Sequence, residues 1–302
     1  MDIIILILVS IGSITSIGIL SLMFYRRRQY PINTSSILIC NTYLAIILSC
    51  LTLLDMYAYN LYGLLHENIV VNNWWCYGRI YLLDVGTGSL YFSCLLKACF
   101  RLFSIVFYKN KRLQSFQFAL QIVILQWIIV FLLLIYPLVL QYYTYTSNLY
   151  QCQLPFTNFK AVISVSTILF FIPMSSIGLI YCYIMYYIKH RTSTLMQQNR
   201  ERSYQRDVVV LRRIIILVTI LAILSSPTIA LWMYYIVTNY LAAQIYHIQW
   251  LIHSVSLLIL SIALVFLNSE LQKLLSISLR QNRRIQPAII MQQQRLKQSN
   301  ET

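Results

Sequence analysis

The chain has 302 residues, of which 59% are hydrophobic and 10% charged, with a mean hydropathy of +0.68. Ordinary soluble domains carry about 25% charged residues, so this composition excludes a soluble enzyme or a secreted disulfide scaffold and points to a polytopic membrane protein. The net charge of +15 does not point to nucleic acid, because the 23 Lys and Arg lie between apolar runs instead of forming one basic patch.

In chain order the apolar runs predict seven transmembrane helices over 3–25, 34–58, 77–105, 115–140, 160–188, 208–237 and 244–267. Each covers roughly 30 Å of hydrocarbon at 1.5 Å per residue, whereas the strands of a membrane barrel would alternate over about 10 residues. The first run carries Asp2 instead of a positive leader and is followed by Arg26, Arg27 and Arg28, so it reads as an anchor and not as a cleaved signal. An amphipathic stretch at 269–280 predicts a short eighth helix. Residues 281–302, rich in Gln and Arg, read as a disordered cytoplasmic tail, which leaves 1–280 as the one membrane domain.

Orientation follows from the basic residues. Twenty of the 23 fall on the side of the C-terminus, Arg79 and Lys160 fall on the other side, and Lys97 lies inside a span. The excess of Lys and Arg on cytoplasmic loops then predicts an extracellular N-terminus and a cytoplasmic C-terminus, in a multi-pass protein of the plasma membrane.

Of seven cysteines, Cys40, Cys50, Cys94, Cys99 and Cys182 lie in spans, where a free thiol behaves as a small hydrophobe. Cys76 and Cys152 alone face the oxidising side, which suggests one disulfide between the top of the third span and the loop after the fourth; the alternative is two unpaired surface thiols. Closing a loop of this size is worth about 4–5 kcal/mol in the chain-entropy account. The same side is aromatic, with Tyr142, Tyr143, Tyr145, Tyr150, Tyr234, Tyr235 and Tyr246 among its residues, which suits an interfacial belt or a ligand pocket.

Three ionisable residues within spans are hard to dismiss: Asp55, Asp84 and Lys97. Each costs about 2.5–3.5 kcal/mol at mid-helix on insertion scales and is expected to face the bundle interior or water. Asp84 is two turns below Cys76, at the depth of a pocket floor. Asp55 either shares that pocket or reaches interfacial water. Lys97 lies one turn above Arg101 on one helical face, and either snorkels to the interface or donates to neighbouring helices. No Gly-rich phosphate loop, HExxH or metal-spaced Cys/His pair occurs, and His66, His190, His247 and His253 are scattered, so neither an enzyme nor a metal or cofactor site is expected.

Several residues in register resemble the rhodopsin-like (family 1) G-protein-coupled receptors. Cys76 and Arg101 are 25 residues apart, the spacing that the family has between its disulfide Cys and the Arg of its Asp-Arg-Tyr motif; here the triplet is Phe100-Arg101-Leu102. Trp127 and Pro137 match the fourth-span Trp and Pro, Pro173 and Tyr181 the fifth-span Pro and Tyr, and Pro227 the sixth-span Pro. Asp207 matches the acidic position that pairs with the motif Arg, and Phe266-Leu267-Asn268-Ser269-Glu270 resembles the junction into the eighth helix. The departures mark a divergent or orphan member: Ser16, Ile46, Ser225 and Leu260-Ser261-Ile262-Ala263-Leu264 stand where the family has its first-span Asn, second-span Asp, sixth-span Trp and seventh-span Asn-Pro-x-x-Tyr. No sodium site is therefore expected.

The resemblance implies a receptor that passes an extracellular signal to a heterotrimeric G protein. Arg101 and Asp207 would form the resting clasp, Pro227 the pivot, and Tyr181 the cap on Arg101, with Lys97 beside the switch. Asp84, Tyr81, Thr228, Trp232, Trp250 and His253 would hold a ligand, a peptide or a chemosensory small molecule. The family's amine receptors carry their Asp one position earlier, where this chain has Leu83, which disfavours an amine. The competing expectations are a receptor-like chain that does not couple, and a transporter using Asp84 and Lys97; against the latter stand the odd span count, the lack of repeats and only seven Gly. The partners expected are the G protein, the ligand and the bilayer, with no nucleic acid.

The sequons Asn33-Thr34-Ser35 and Asn300-Glu301-Thr302 both lie on the side predicted to be cytoplasmic. Glycosidase treatment of the chain expressed in mammalian cells is expected to leave its gel mobility unchanged, and a shift abolished by Asn300→Gln would invert the topology.

Overall fold

The computed structural model describes residues 1–26, 34–65, 74–108, 110–146, 150–192, 198–238, 245–268 and 271–272, with side chains included except over 191–214. Its helices are α1 (Asp2–Arg26), α2 (Thr34–Leu65), α3 (Trp74–Ile105), α4 (Phe116–Val139), α5 (Phe159–Ser166), α6 (Ile172–Thr192), α7 (Gln198–Thr238) and α8 (Ile245–Leu267). α5 and α6 are joined through a π-helical segment, Thr167–Phe171, into one fifth span. The protein is thus an all-α bundle with, among the described residues, seven helices long and apolar enough to cross a membrane.

The helices run past the apolar runs where the sequence turns polar without a breaker. The second span continues to Leu65, the third begins at Trp74, and the sixth-span helix begins at Gln198, well before its apolar part at Ile215. Hydropathy marks what hydrocarbon covers, while the hydrogen-bonded helix goes on until capping or loop chemistry stops it. Two starts are capped as sequence would have it: Ser115 Oγ accepts from the Phe118 amide (3.3 Å) and Asn158 Oδ1 from the Ala161 amide (3.2 Å).

Contacts divide the chain into a body, Met1–Ile262, and a second unit, Ala263–Thr302. Of the second unit, the described residues are the end of α8, Asn268, and the helical pair Leu271 and Gln272, with the Gln272 amide donating to the Asn268 carbonyl (3.0 Å). The rest of the expected eighth helix, the 280/281 boundary and the tail lie outside the described residues.

Small and polar residues join the helices of the body, because hydrocarbon gives apolar side chains no reason to prefer protein over lipid. The second and third spans meet at Gly86, where a Cβ would come within 2.5 Å of Ser49 Oγ and 3.0 Å of the Ser49 backbone nitrogen. Beside this seam the buried Asn41 donates to Gln126 Oε1 (2.7 Å) and accepts from Trp127 Nε1 (2.8 Å), while Gln126 donates to the Ser89 carbonyl (3.2 Å). Second, third and fourth spans are thereby tied through one amide pair. Ser93 donates to Thr42 on the same seam (3.1 Å), and Tyr43 donates to the Ser261 carbonyl of the seventh span (3.1 Å).

Prolines loosen specific turns. Pro227 cannot donate to the Ile223 carbonyl, and Ser226 Oγ takes that acceptor instead at 2.8 Å. Pro173 likewise lacks the N–H that would reach Leu169, and Leu169 lies inside the π segment, where the helix has already abandoned the regular pattern. Thr144–Thr146 (β1) and Gln151–Gln153 (β2) form an antiparallel hairpin in the loop after the fourth span, an element that the sequence reading did not anticipate.

Gly86→Ala is expected to lower the melting temperature in detergent, at a cost of about 1–3 kcal/mol for overpacking the seam. Gly18, whose Cβ would meet nothing within 4 Å, supplies the control: Gly18→Ala is expected to be neutral or slightly stabilising.

Candidate functional site

A cavity of about 220 Å³ lies between the third, fifth, sixth and seventh spans near the end of the bundle that carries the disulfide. The third span contributes Asp84, Thr87 and Tyr91, and the π segment turns Leu169, Phe170 and Phe171 toward the same space. The extra residue of a π turn shifts the side chains after it around the axis, which is how one span presents three consecutive residues to one cavity. Ser225, Thr228 and Trp232 come from the sixth span, and Trp250 and His253 from the seventh.

The loop after the fourth span supplies Gln153, Leu154 and Phe156 as further wall residues. Three attachments hold it. Cys152 is bonded to Cys76 with a Cα–Cα distance of 5.5 Å, confirming the single disulfide expected on this side. Phe156 stacks on Tyr246 of the seventh span, ring centroids 5.1 Å apart, and its amide donates to the Tyr246 hydroxyl (3.2 Å). Tyr143 Oη donates to Asp84 Oδ2 at 2.7 Å. Burial, together with the Asp84 carboxylate beside it, holds the Tyr143 phenol above its ordinary pKa, so it serves that bond as the donor.

Five of the six residues expected around a ligand line the cavity: Asp84, Thr228, Trp232, Trp250 and His253. Tyr81 does not. Its hydroxyl donates to the Phe131 carbonyl (3.0 Å) and its ring lies 6.3 Å from that of Phe131, so it is spent on the fourth span. Asp55 does not share the cavity; its side chain is 48% exposed and reaches the surface of the bundle, in line with the second of the two expectations. It pairs with Arg79 at 2.7 Å, and the guanidinium, 8% exposed, sits 3.9 Å over the Tyr59 ring. That cluster joins the second and third spans away from the cavity wall.

Tyr91 and Ser225 share a hydrogen bond across the cavity, joining the third span to the sixth; Ser225 also donates to the Leu221 carbonyl (2.7 Å). Tyr91 stands edge-on to Phe170, with centroids 5.7 Å apart. No sequence signal singles out this pair. Ser225 was notable as a departure from the resembled family, and only the fold shows that a tyrosine from another span occupies the space beside it.

At the basic end, Arg101 is half-buried near the end of the third span, and Tyr181 of the fifth is 7% exposed and lies within electrostatic reach of it. The Tyr181 hydroxyl has no hydrogen-bond partner among the described residues. Asp207 falls in α7 where side chains are not described, so the expected clasp lies outside the description. Lys97 is half-buried and does not line the cavity. Among the described residues no group of three or more His, Cys, Asp or Glu could hold a metal ion.

No protein-family model matches this chain, and no curated protein matches it either.

Proposed function

We propose that this protein is a plasma-membrane receptor that binds a small extracellular molecule in the cavity and passes the signal to a heterotrimeric G protein. The observation that carries this reading is the loop roof: a cavity with one covalently pinned wall, built from helices whose far ends carry Arg101 and Tyr181. In this reading the disulfide end faces outside, as the bias of basic residues suggests.

Two contacts support a route from the cavity to the coupling face. A ligand between the third and sixth spans alters the Tyr91–Ser225 bond, two residues from Pro227, where the sixth span lacks a backbone hydrogen bond and bends at small cost. A small change there swings the basic half of that span. A ligand preferring the swung arrangement shifts the population toward it, and a G protein that binds the same arrangement is linked reciprocally. Arg101 and Asp207 are proposed to hold the resting arrangement together, with Tyr181 covering Arg101 when they part. The basic residues Lys109, Lys111, Arg112, Arg200, Arg202 and Arg206 also suit anionic headgroups on the cytoplasmic leaflet.

The test is G-protein activation in cells across the main Gα classes, basal and with ligand libraries, comparing wild type with Arg101→Ala at equal surface expression. Activity that disappears with Arg101 is expected. Activity retained in full by Arg101→Ala would contradict the coupling route, and silence of both at the surface would favour a seven-helix chain that does not couple.

A further inference from the structure

The cavity wall is chemically lopsided. Among the described wall residues, Asp84 is the one carboxylate and there is no Lys or Arg. Asp84 is half-buried, and the only hydrogen bond it receives among the described residues comes from a phenol, Tyr143, itself 2% exposed. Beside this acceptor, Trp232 Nε1, Trp250 Nε1 and His253 Nε2 are buried and have no hydrogen-bond partner among the described residues. An indole N–H can only donate, so the two tryptophans require an acceptor, while Asp84 requires a donor.

We propose that the ligand of this cavity is a small uncharged aromatic molecule bearing a hydroxyl group, which takes the place of the Tyr143 phenol on Asp84. This rests on the receptor reading of the same cavity and names the chemistry it recognises. A hydroxyl both donates and accepts, so it answers both halves of the wall; an ammonium answers the carboxylate and the ring faces but leaves the indole N–H groups without an acceptor, and a carboxylate ligand has no cation to meet. Aromatic walls from Tyr91, Phe156, Phe170 and Tyr246 suit a flat ring, and about 220 Å³ is below the roughly 300–1,000 Å³ of drug-sized sites, which disfavours a peptide. Tyr143 belongs to the roofing loop, so a ligand that takes Asp84 from it also releases one of the three attachments of that loop. Asp84 is thus the point at which occupancy of the cavity is exchanged for closure of the roof.

The experiment uses the full chain in lipid nanodiscs, with empty nanodiscs as the partition control, and measures binding by ligand-observed NMR for 4-ethylphenol, 4-ethylanisole and phenethylamine. Binding of 4-ethylphenol is expected to exceed that of 4-ethylanisole, which lacks the donor, by about tenfold, as for the loss of one hydrogen bond. Phenethylamine is expected to bind more weakly than the phenol. Tyr143→Phe, which frees Asp84 with little change of shape, is expected to tighten 4-ethylphenol several-fold, and Asp84→Leu to erase the difference between phenol and anisole. Equal binding of phenol and anisole to wild type, a tighter phenethylamine, or no gain in Tyr143→Phe would overturn the proposal; because Tyr143→Phe retains the buried ring, the test survives a poorly folded Asp84→Leu. The assay contains no G protein, so its failure would sink the ligand class and leave coupling to be judged by Arg101.

Discussion

The bond from Cys76 to Cys152 fixes where the loop after the fourth span can lie, and the cavity depends on that position. Residue 152 is the middle of β2, paired with Tyr145 across the hairpin, so the bond places a two-stranded unit and not a single residue against the top of the third span. Once the hairpin is held, Tyr143 on one side of it reaches Asp84, and Phe156 on the other reaches Tyr246. Without the covalent tie these two weak contacts would have to hold an entire loop against its chain entropy, which costs on the order of 1 kcal/mol per residue.

Beneath that roof the bundle is joined by polar contacts. An unsatisfied amide in hydrocarbon costs several kcal/mol, so Asn41 and Gln126 specify which faces of the second, third and fourth spans meet far more strictly than aliphatic packing can. The fifth and sixth spans are held differently. Their backbones carry the π segment and the two prolines; the fifth also packs on the third along α6 through the buried Ile177, Tyr181 and Ile184, while the sixth meets the third at the cavity by way of Tyr91 and Ser225. A tightly seamed half and a loosened half are what a population-shift device requires, since one side must stay fixed while the other has two arrangements.

The number of the spans and the disulfide pair were legible in the sequence because each rests on a single cause: hydrocarbon thickness for the spans, and a shared end of the bundle for Cys76 and Cys152. Asp84 was legible as a carboxylate at mid-helix, but its partner was not, since Tyr143 was one of many tyrosines in an aromatic loop and only the hairpin decides which one turns inward. Tyr81 and Asp55 show the converse. A side chain at a given position along a span can face a neighbouring helix or an aromatic shelf, and helix rotation is set by seams such as Gly86 and Asn41 that hydropathy does not reveal. The Tyr91–Ser225 bridge and the π segment needed the fold itself, because both arise from where two spans meet.

The most direct test of the central claim is the distance between the basic ends of the third and sixth spans. Spin labels at Ser104→Cys and Ile216→Cys, with the free cysteines replaced by alanine, would report it by pulsed electron resonance in nanodiscs, with and without nucleotide-free heterotrimers of the Gi, Gs and Gq classes. A receptor of the proposed kind lengthens that distance with at least one heterotrimer, since a partner that binds the open arrangement must populate it. A distribution unchanged by all three would contradict the account.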